Sequence, residues 1–200
     1  MKILLFLILG YVMGSLPNGV WIGKYFKGID IREFGSKNSG ATNSYRILGP
    51  KYGLMVLAAD ALKGFIPPFF ASQCDVTGNW LILIGMAAIL GHIFSFFQKF
   101  KGGKGVATSL GVFLFLIPKV TITLFVIFVI VVYATRYISL GSIIAAILLP
   151  IFTLMSPLKN GIDKFPMMVM TTIIAVFVVY KHKSNISRLL KGTENKFKLK

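Results

Sequence analysis

The chain has 200 residues, an ordinary length for one domain; 56% of them are hydrophobic and the mean hydropathy is +0.78. That is too apolar for a soluble fold to cover with polar surface. Twenty-two Lys and Arg stand against six Asp and Glu, with a single cysteine, Cys74; six scattered acids do not easily build a two-metal site, and one thiol makes neither an internal disulfide nor a cysteine-based metal cluster.

The apolar residues come in blocks rather than at a helical or strand period, and blocks of about 17–25 residues match the bilayer core, where helices are the default. The first block, 3–26, opens with MKILLFLILGYVMGSLPNG. It has the Lys and apolar core of a signal peptide but no A-x-A cleavage site, and it continues through VWIG, so it reads as a retained first span. Gly10, Gly14 and Gly19 are close-packing positions on it.

The second block, 52–72, carries Asp60 and Lys63 at i, i+3 spacing, an internal ion pair that would stabilise the bundle. Pro67 and Pro68 predict a break or bend near its end. The third, 79–98, holds His92, which at membrane depth serves either packing or a site. The fourth and fifth, 106–118 and 120–135, are divided by Pro118-Lys119; a tight hairpin fits, the alternative being one long kinked helix and six spans. Blocks at 138–156 and 165–181 complete an all-α integral membrane domain of seven transmembrane helices, spanning 1–200.

Charge orients these spans. Connections after the first, third and fifth hold Lys24, Lys27, Arg32, Lys37, Arg46 and Lys51, then Lys99, Lys101 and Lys104, then Arg136; the tail adds Lys181, Lys183, Arg188, Lys191, Lys196, Lys198 and Lys200. The opposite side holds Lys2, Lys119, Lys159 and Lys164. The positive-inside rule then predicts an outside N-terminus and a cytoplasmic C-terminus. Anionic headgroups account for the basic balance better than nucleic acid does, since no aromatic-studded soluble surface is present. Segments 27–51, 98–108 and 182–194 are expected to face the cytoplasm and to form a cationic concavity suited to a phosphate-bearing ligand.

Within 98–108, KGGKG (101–105) offers the amides of Gly102 and Gly103 and the charges of Lys101 and Lys104 just ahead of a helix beginning at about Val106. A flexible basic loop is the plainer reading. It is not a Walker A loop, because Gly105 follows Lys104 where Ser or Thr would stand and no strand precedes it. GSKNSGATN supplies Ser36, Asn38, Ser39, Thr42 and Asn43, with Arg46 placed for a bidentate phosphate contact; the plainer reading is an N-capped turn. His182 and Asn185 share a face if the last span continues as a helix, His182 being a base, a phosphate donor or an interfacial histidine. Arg136, Ser139 and Ser142 form a further cluster, from which Ser142 can reach the site.

There is no G-x-S-x-G elbow and no Cys, His pair, so chemistry here rests on positioning and cationic stabilisation of an already activated substrate. An anion transporter would show pseudo-repeated halves and polar motifs at the midplane; no repeat is seen, and the polar motifs lie at one face. A non-catalytic lipid-binding scaffold with a basic face is a third class that the same charge pattern fits.

GSKNSGATNSYR, GHIFSFFQKFKGGKGVAT and HKSNISRLLKGTE resemble the three signature segments of the bacterial acyl-phosphate-dependent glycerol-3-phosphate acyltransferases, over nearly the whole chain and in the same order. Lys37 departs from the pattern, standing where glycine is expected, which bears on the local backbone path. The resemblance implies a multi-pass enzyme of the bacterial inner membrane that moves a fatty acyl group from acyl phosphate to the 1-hydroxyl of glycerol 3-phosphate, giving lysophosphatidic acid and inorganic phosphate. It implies acyl phosphate, glycerol 3-phosphate and membrane lipid as partners; nothing in the composition calls for nucleic acid, a metal or a cofactor. The H-x-x-x-x-D motif of other glycerolipid acyltransferases is absent here too, since Phe97 and Ser187 stand where its Asp would follow His92 and His182. Ser36, Arg46, Lys104, His182 and Asn185 are the expected catalytic set. Asn38, Thr42, Asn43, Lys101, Gly102, Gly103 and Ser142 are expected to bind substrate. The base is His182 or, preferably, a phosphate oxygen of the substrate.

Overall fold

The apolar blocks become helices because a bilayer leaves no other partner for backbone amides. In the computed structural model, which describes residues 1–158 and 161–197, they form α1 (Lys2–Ser15), α2 (Asn18–Lys27), α3 (Ala41–Leu48), α4 (Pro50–Gln73), α5 (Asn79–Ile93), α6 (Val106–Leu116), α7 (Pro118–Thr135), α8 (Ile138–Met155), α9 (Lys164–Lys181) and α10 (Lys183–Leu190). No strand occurs among the described residues. Lys159, Lys198 and Lys200 lie outside them. Two compact units result, Met1–Leu116 and Ile117–Lys200.

Among the described residues, five helical segments are each long and apolar enough to cross a membrane: α4, α5 continued to Gln98, α7, α8 and α9. The pair α1 and α2 makes a sixth candidate, bent by 43°. The remaining apolar block is the 11-residue α6, shorter than a full crossing.

In the first unit the seams are built on glycine. A side chain on Gly14 would meet the Ala88 carbonyl, and one on Gly91 the Tyr11 carbonyl, so α1 and α5 touch backbone to backbone. Gly64 against Thr108 and Gly111 against Ala61 do the same for α4 and α6. Val56, Leu81, Ile84, Ala88, Ile89 and Val112 fill the interior with no exposed surface. In the second unit Leu149, Met167, Met170, Ile174 and Val178 form the buried face of α8 and α9, while α7 turns Ile122, Phe125, Val126, Val129 and Ile130 outward, as lipid-facing surface does.

Proline placement differs from expectation at two points. The first block is interrupted: α1 ends at Ser15 and α2 starts at Asn18, with Pro17 between them and unable to donate to the preceding turn. By contrast, α4 runs unbroken through Pro67 and Pro68, whose rings are buried, correcting the predicted break. Two missing donors are tolerated where packing holds the helix on both sides of them. Pro118 opens α7 at its first turn, where the missing amide hydrogen costs nothing.

Candidate functional site

The 29–46 segment is an ordered turn built around Asn43. The α2 helix stops at Gly28 in a left-handed conformation. Asp30 then accepts from the Arg32 backbone amide at 3.1 Å and from its guanidinium at 2.9 and 2.6 Å, with Lys24 at 3.3 Å. The Arg32 guanidinium holds the Asp30 carboxyl well below the usual carboxylate range.

Asn43, 1% exposed, donates its amide hydrogens to the carbonyls of Ile31, Asn38 and Phe34 at 2.9, 2.9 and 3.2 Å. Its Oδ1 accepts from the Ser36 amide at 3.0 Å. The side chain expected to bind substrate therefore organises the loop that presents Ser36, which is exposed. Asn38 closes an Asx turn by accepting from the Gly40 amide at 2.9 Å. Thr42 and Arg46, one turn apart on α3, share a half-buried face. Lys37 has φ +56°, so the left-handed turn that favours glycine is kept although lysine occupies it.

KGGKG is anchored to His92. The amides of Gly102 and Gly103 donate to the carbonyls of Ile93 and His92 at 3.1 and 3.2 Å, so these two, expected to cradle an anion, are engaged inside the protein. A Cβ on Gly102 would meet the His92 carbonyl, and one on Gly103 the His92 ring at Nε2. Glycine is required here for close approach of the loop to α5. Gly105, at φ +84°, accepts from Ser109 and opens α6 with Val106 as its first residue, as expected. Lys104 is half-buried beside this helix start, whereas Lys101 is exposed.

The second unit carries a separate polar cluster. The α9 helix ends at Lys181, and α10 begins at Lys183, so His182 stands at a junction rather than within a continuing helix. It is 3% exposed, and its Nδ1 donates to the Val178 carbonyl at 2.7 Å. That bond fixes the tautomer, placing the neutral ring's lone pair on Nε2. Asn185 donates to Glu194 Oε1 at 2.7 Å, Ser139 donates to the same oxygen at 2.9 Å, and Arg188 Nε reaches Oε2 at 2.6 Å. Burial pushes the Glu194 carboxyl up, but these donors outweigh it and leave the group below its ordinary value. Ser142 turns its hydroxyl back to the Ile138 carbonyl at 3.0 Å.

Glu194 is the residue that sequence reasoning passed over. The signal was present: it is one of only six acids and stands in a cationic tail. Among the described residues, no group of three or more His, Cys, Asp or Glu is placed to hold a metal ion.

Residues 4–192 match the family model described as glycerol-3-phosphate acyltransferase. A glycerol-3-phosphate acyltransferase of Fusobacterium nucleatum is 59% identical over 193 residues, covering 96% of this chain and 97% of that one. That of Bacillus subtilis is 42% identical over 200 residues, 99% of each. The crystal structure of PlsY, an integral membrane glycerol 3-phosphate acyltransferase, superposes in its glycerol 3-phosphate form with a TM-score of 0.90 at 39% identity, covering 99% of this chain and 96% of that one. Its lysophosphatidic acid form gives 0.88 at 38%. The chain belongs to the glycerol-3-phosphate acyltransferase family and is an integral membrane acyltransferase.

Proposed function

We propose that, as a member of this family, the chain transfers a fatty acyl group from acyl phosphate to the 1-hydroxyl of glycerol 3-phosphate. The hydroxyl oxygen attacks the acyl carbon, a new C–O ester bond forms, and the acyl–phosphate C–O bond breaks. Lysophosphatidic acid and inorganic phosphate leave, in the first acylation of phospholipid synthesis. The observation that best supports this reading is the likeness over 99% of the chain to an acyltransferase solved in its glycerol 3-phosphate form. Because acyl phosphate is a mixed anhydride with a good leaving group, no covalent enzyme intermediate is needed, which agrees with the absence of a nucleophile motif.

In this reading Arg46 and Lys104 hold phosphate and offset charge on the leaving group. Ser36, Asn38, Thr42 and Lys101 add donors, while Asn43, Gly102 and Gly103 hold the loops that carry them. His182, Asn185 and Ser142 are the remaining residues assigned to substrate. A phosphate oxygen of the substrate takes the hydroxyl proton; His182, with its lone pair on Nε2, is the alternative base. Seven crossings of the bacterial inner membrane, counting the short α6, put the N-terminus outside and segments 27–51, 98–108 and 182–194 in the cytoplasm.

Purified protein given palmitoyl phosphate and labelled glycerol 3-phosphate is expected to form lysophosphatidic acid and release one phosphate per turnover. Product formed only with acyl-CoA or acyl carrier protein would overturn the donor assignment.

A further inference from the structure

At the Pro17 break the Leu16 carbonyl accepts from the Asn18 amide at 3.0 Å, and a buried charge joins it there. Lys63 Nζ, from the middle of α4, donates to the Leu16 carbonyl at 2.7 Å and pairs with Asp60 Oδ1 at 2.8 Å. Asn18, the first residue of α2, donates to the same Asp60 oxygen at 3.0 Å. His92 Nδ1 is 3.9 Å from it and is hydrogen-bonded to Thr108 Oγ1 at 3.0 Å. Asp60, Lys63, His92 and Thr108 are all buried. One carboxylate oxygen therefore lies within reach of groups from α2, α4 and α5.

Both outer ends of this cluster meet the polar segments of the first unit. On one side α2 lies against the 29–40 loop so closely that a side chain on Gly19 would meet the Ser39 carbonyl, and one on Gly23 would come within 2.7 Å of the Ile29 carbonyl. The angle of α2 at the break therefore sets where the Ser36–Asn38 turn sits. On the other side the KGGKG loop hangs from α5 through one backbone bond to His92, one to Ile93, and the Gly103 contact with the His92 ring.

A buried ion pair is weak evidence for stability: its desolvation offsets its attraction, and an apolar pair of similar volume does as well. Its use must then be sought in specificity. We propose that Asp60, Lys63 and His92 are positioning residues, a buried polar clasp that holds the 29–46 turn and the KGGKG loop in register so that both present their donors to the phosphate of glycerol 3-phosphate. The inference rests on the acyltransferase reading above and deepens it. None of the three touches substrate; they act through α2 and through Gly102–Gly103.

The test uses the full-length purified protein with palmitoyl phosphate and glycerol 3-phosphate. Asp60→Asn combined with Lys63→Met removes both charges together and leaves no orphaned ion. Thr108→Val removes the His92 partner without changing shape, and Thr108→Ser restores it. The double variant and Thr108→Val are expected to raise KM for glycerol 3-phosphate at least tenfold while keeping the wild-type thermal midpoint in detergent. Thr108→Ser is expected to return KM close to wild type. Folded variants with unchanged KM, or a kcat loss that follows the thermal midpoint alone, would overturn the clasp. Should the double variant fail to accumulate, the two Thr108 variants decide by the same criterion. A wild-type protein that makes no lysophosphatidic acid overturns the acyltransferase reading itself; an active wild type whose variants keep KM overturns only the clasp.

Discussion

Asn185 and Glu194, nine residues apart, close the C-terminal segment on itself: the amide of one donates to the carboxylate of the other at 2.7 Å. Ser139 on α8 and Arg188 on α10 complete the carboxylate's set of donors. Asn185, expected from sequence to meet substrate, is thus oriented by an acid, and the α10 region is tied to α8 by the same group.

Glu194→Gln is therefore expected to lower stability by about 2 kcal/mol, the scale of a charge-assisted hydrogen bond, and to reduce activity by loosening Asn185. The pH dependence has a definite sign. A carboxyl lowered in the folded state contributes stability that is present at neutral pH and is lost as pH falls through its folded value, below the ordinary carboxylate range. Thermal melts of the wild type in detergent should show this acid limb, and Glu194→Gln should flatten it.

Arg46→Lys keeps the charge but loses the planar fork that, in the proposed role of Arg46, grips two phosphate oxygens. Activity should fall with a rise in KM of about tenfold, corresponding to ~1.4 kcal/mol, and Arg46→Ala should fall further. Steady-state kinetics on glycerol 3-phosphate separates these from a folding defect. An unchanged KM in both variants would remove Arg46 from the phosphate site.

Gly102→Ala and Gly103→Ala probe the seat of the KGGKG loop. The first would drive a methyl into the His92 carbonyl, which is backbone, and the second into the edge of the His92 ring. Displacing the loop by even an ångström should reduce kcat/KM by about 100-fold, with Gly102→Ala the more severe because backbone yields less. Activity within twofold of wild type for both would show that the loop's seat is not needed for catalysis.

Lys37→Gly runs the other way. Lysine sits at φ +56°, and relief of that left-handed strain is worth about 1 kcal/mol. Melting temperature should rise with activity retained.

Cys74 is exposed just after α4 and is the natural marker for topology. A membrane-impermeant maleimide applied to intact cells should label it, while a cysteine placed at Lys101 in a Cys74→Ser background should react only after the membrane is opened. Equal labelling of both would refute the proposed orientation.

The positions of the apolar blocks were legible in sequence because a bilayer enforces length and hydrophobicity directly. Proline was not, since its effect depends on what surrounds it: Pro17 ends a helix, whereas Pro67 and Pro68 lie inside one. The motif segments were legible as polar, glycine-bearing loops, but the division of labour within them was not. Asn43 and the Gly102 and Gly103 amides read as ligand donors from their chemistry alone, and only the fold shows that they face inward. Asp60 and Lys63 were correctly paired from their spacing. Their bonds to Leu16 and Asn18, 47 and 42 residues away, lie beyond any local pattern.

That separation bears on biogenesis. When α1 leaves the ribosome, the ammonium that will cap the Leu16 oxygen has yet to be synthesised. The bent first span therefore acquires its final bonding only once α4 is inserted beside it. Nascent chains truncated ahead of Lys63 should hold their N-terminal segment in a looser state, more open to proteolysis, than chains released after α4 is complete at Gln73.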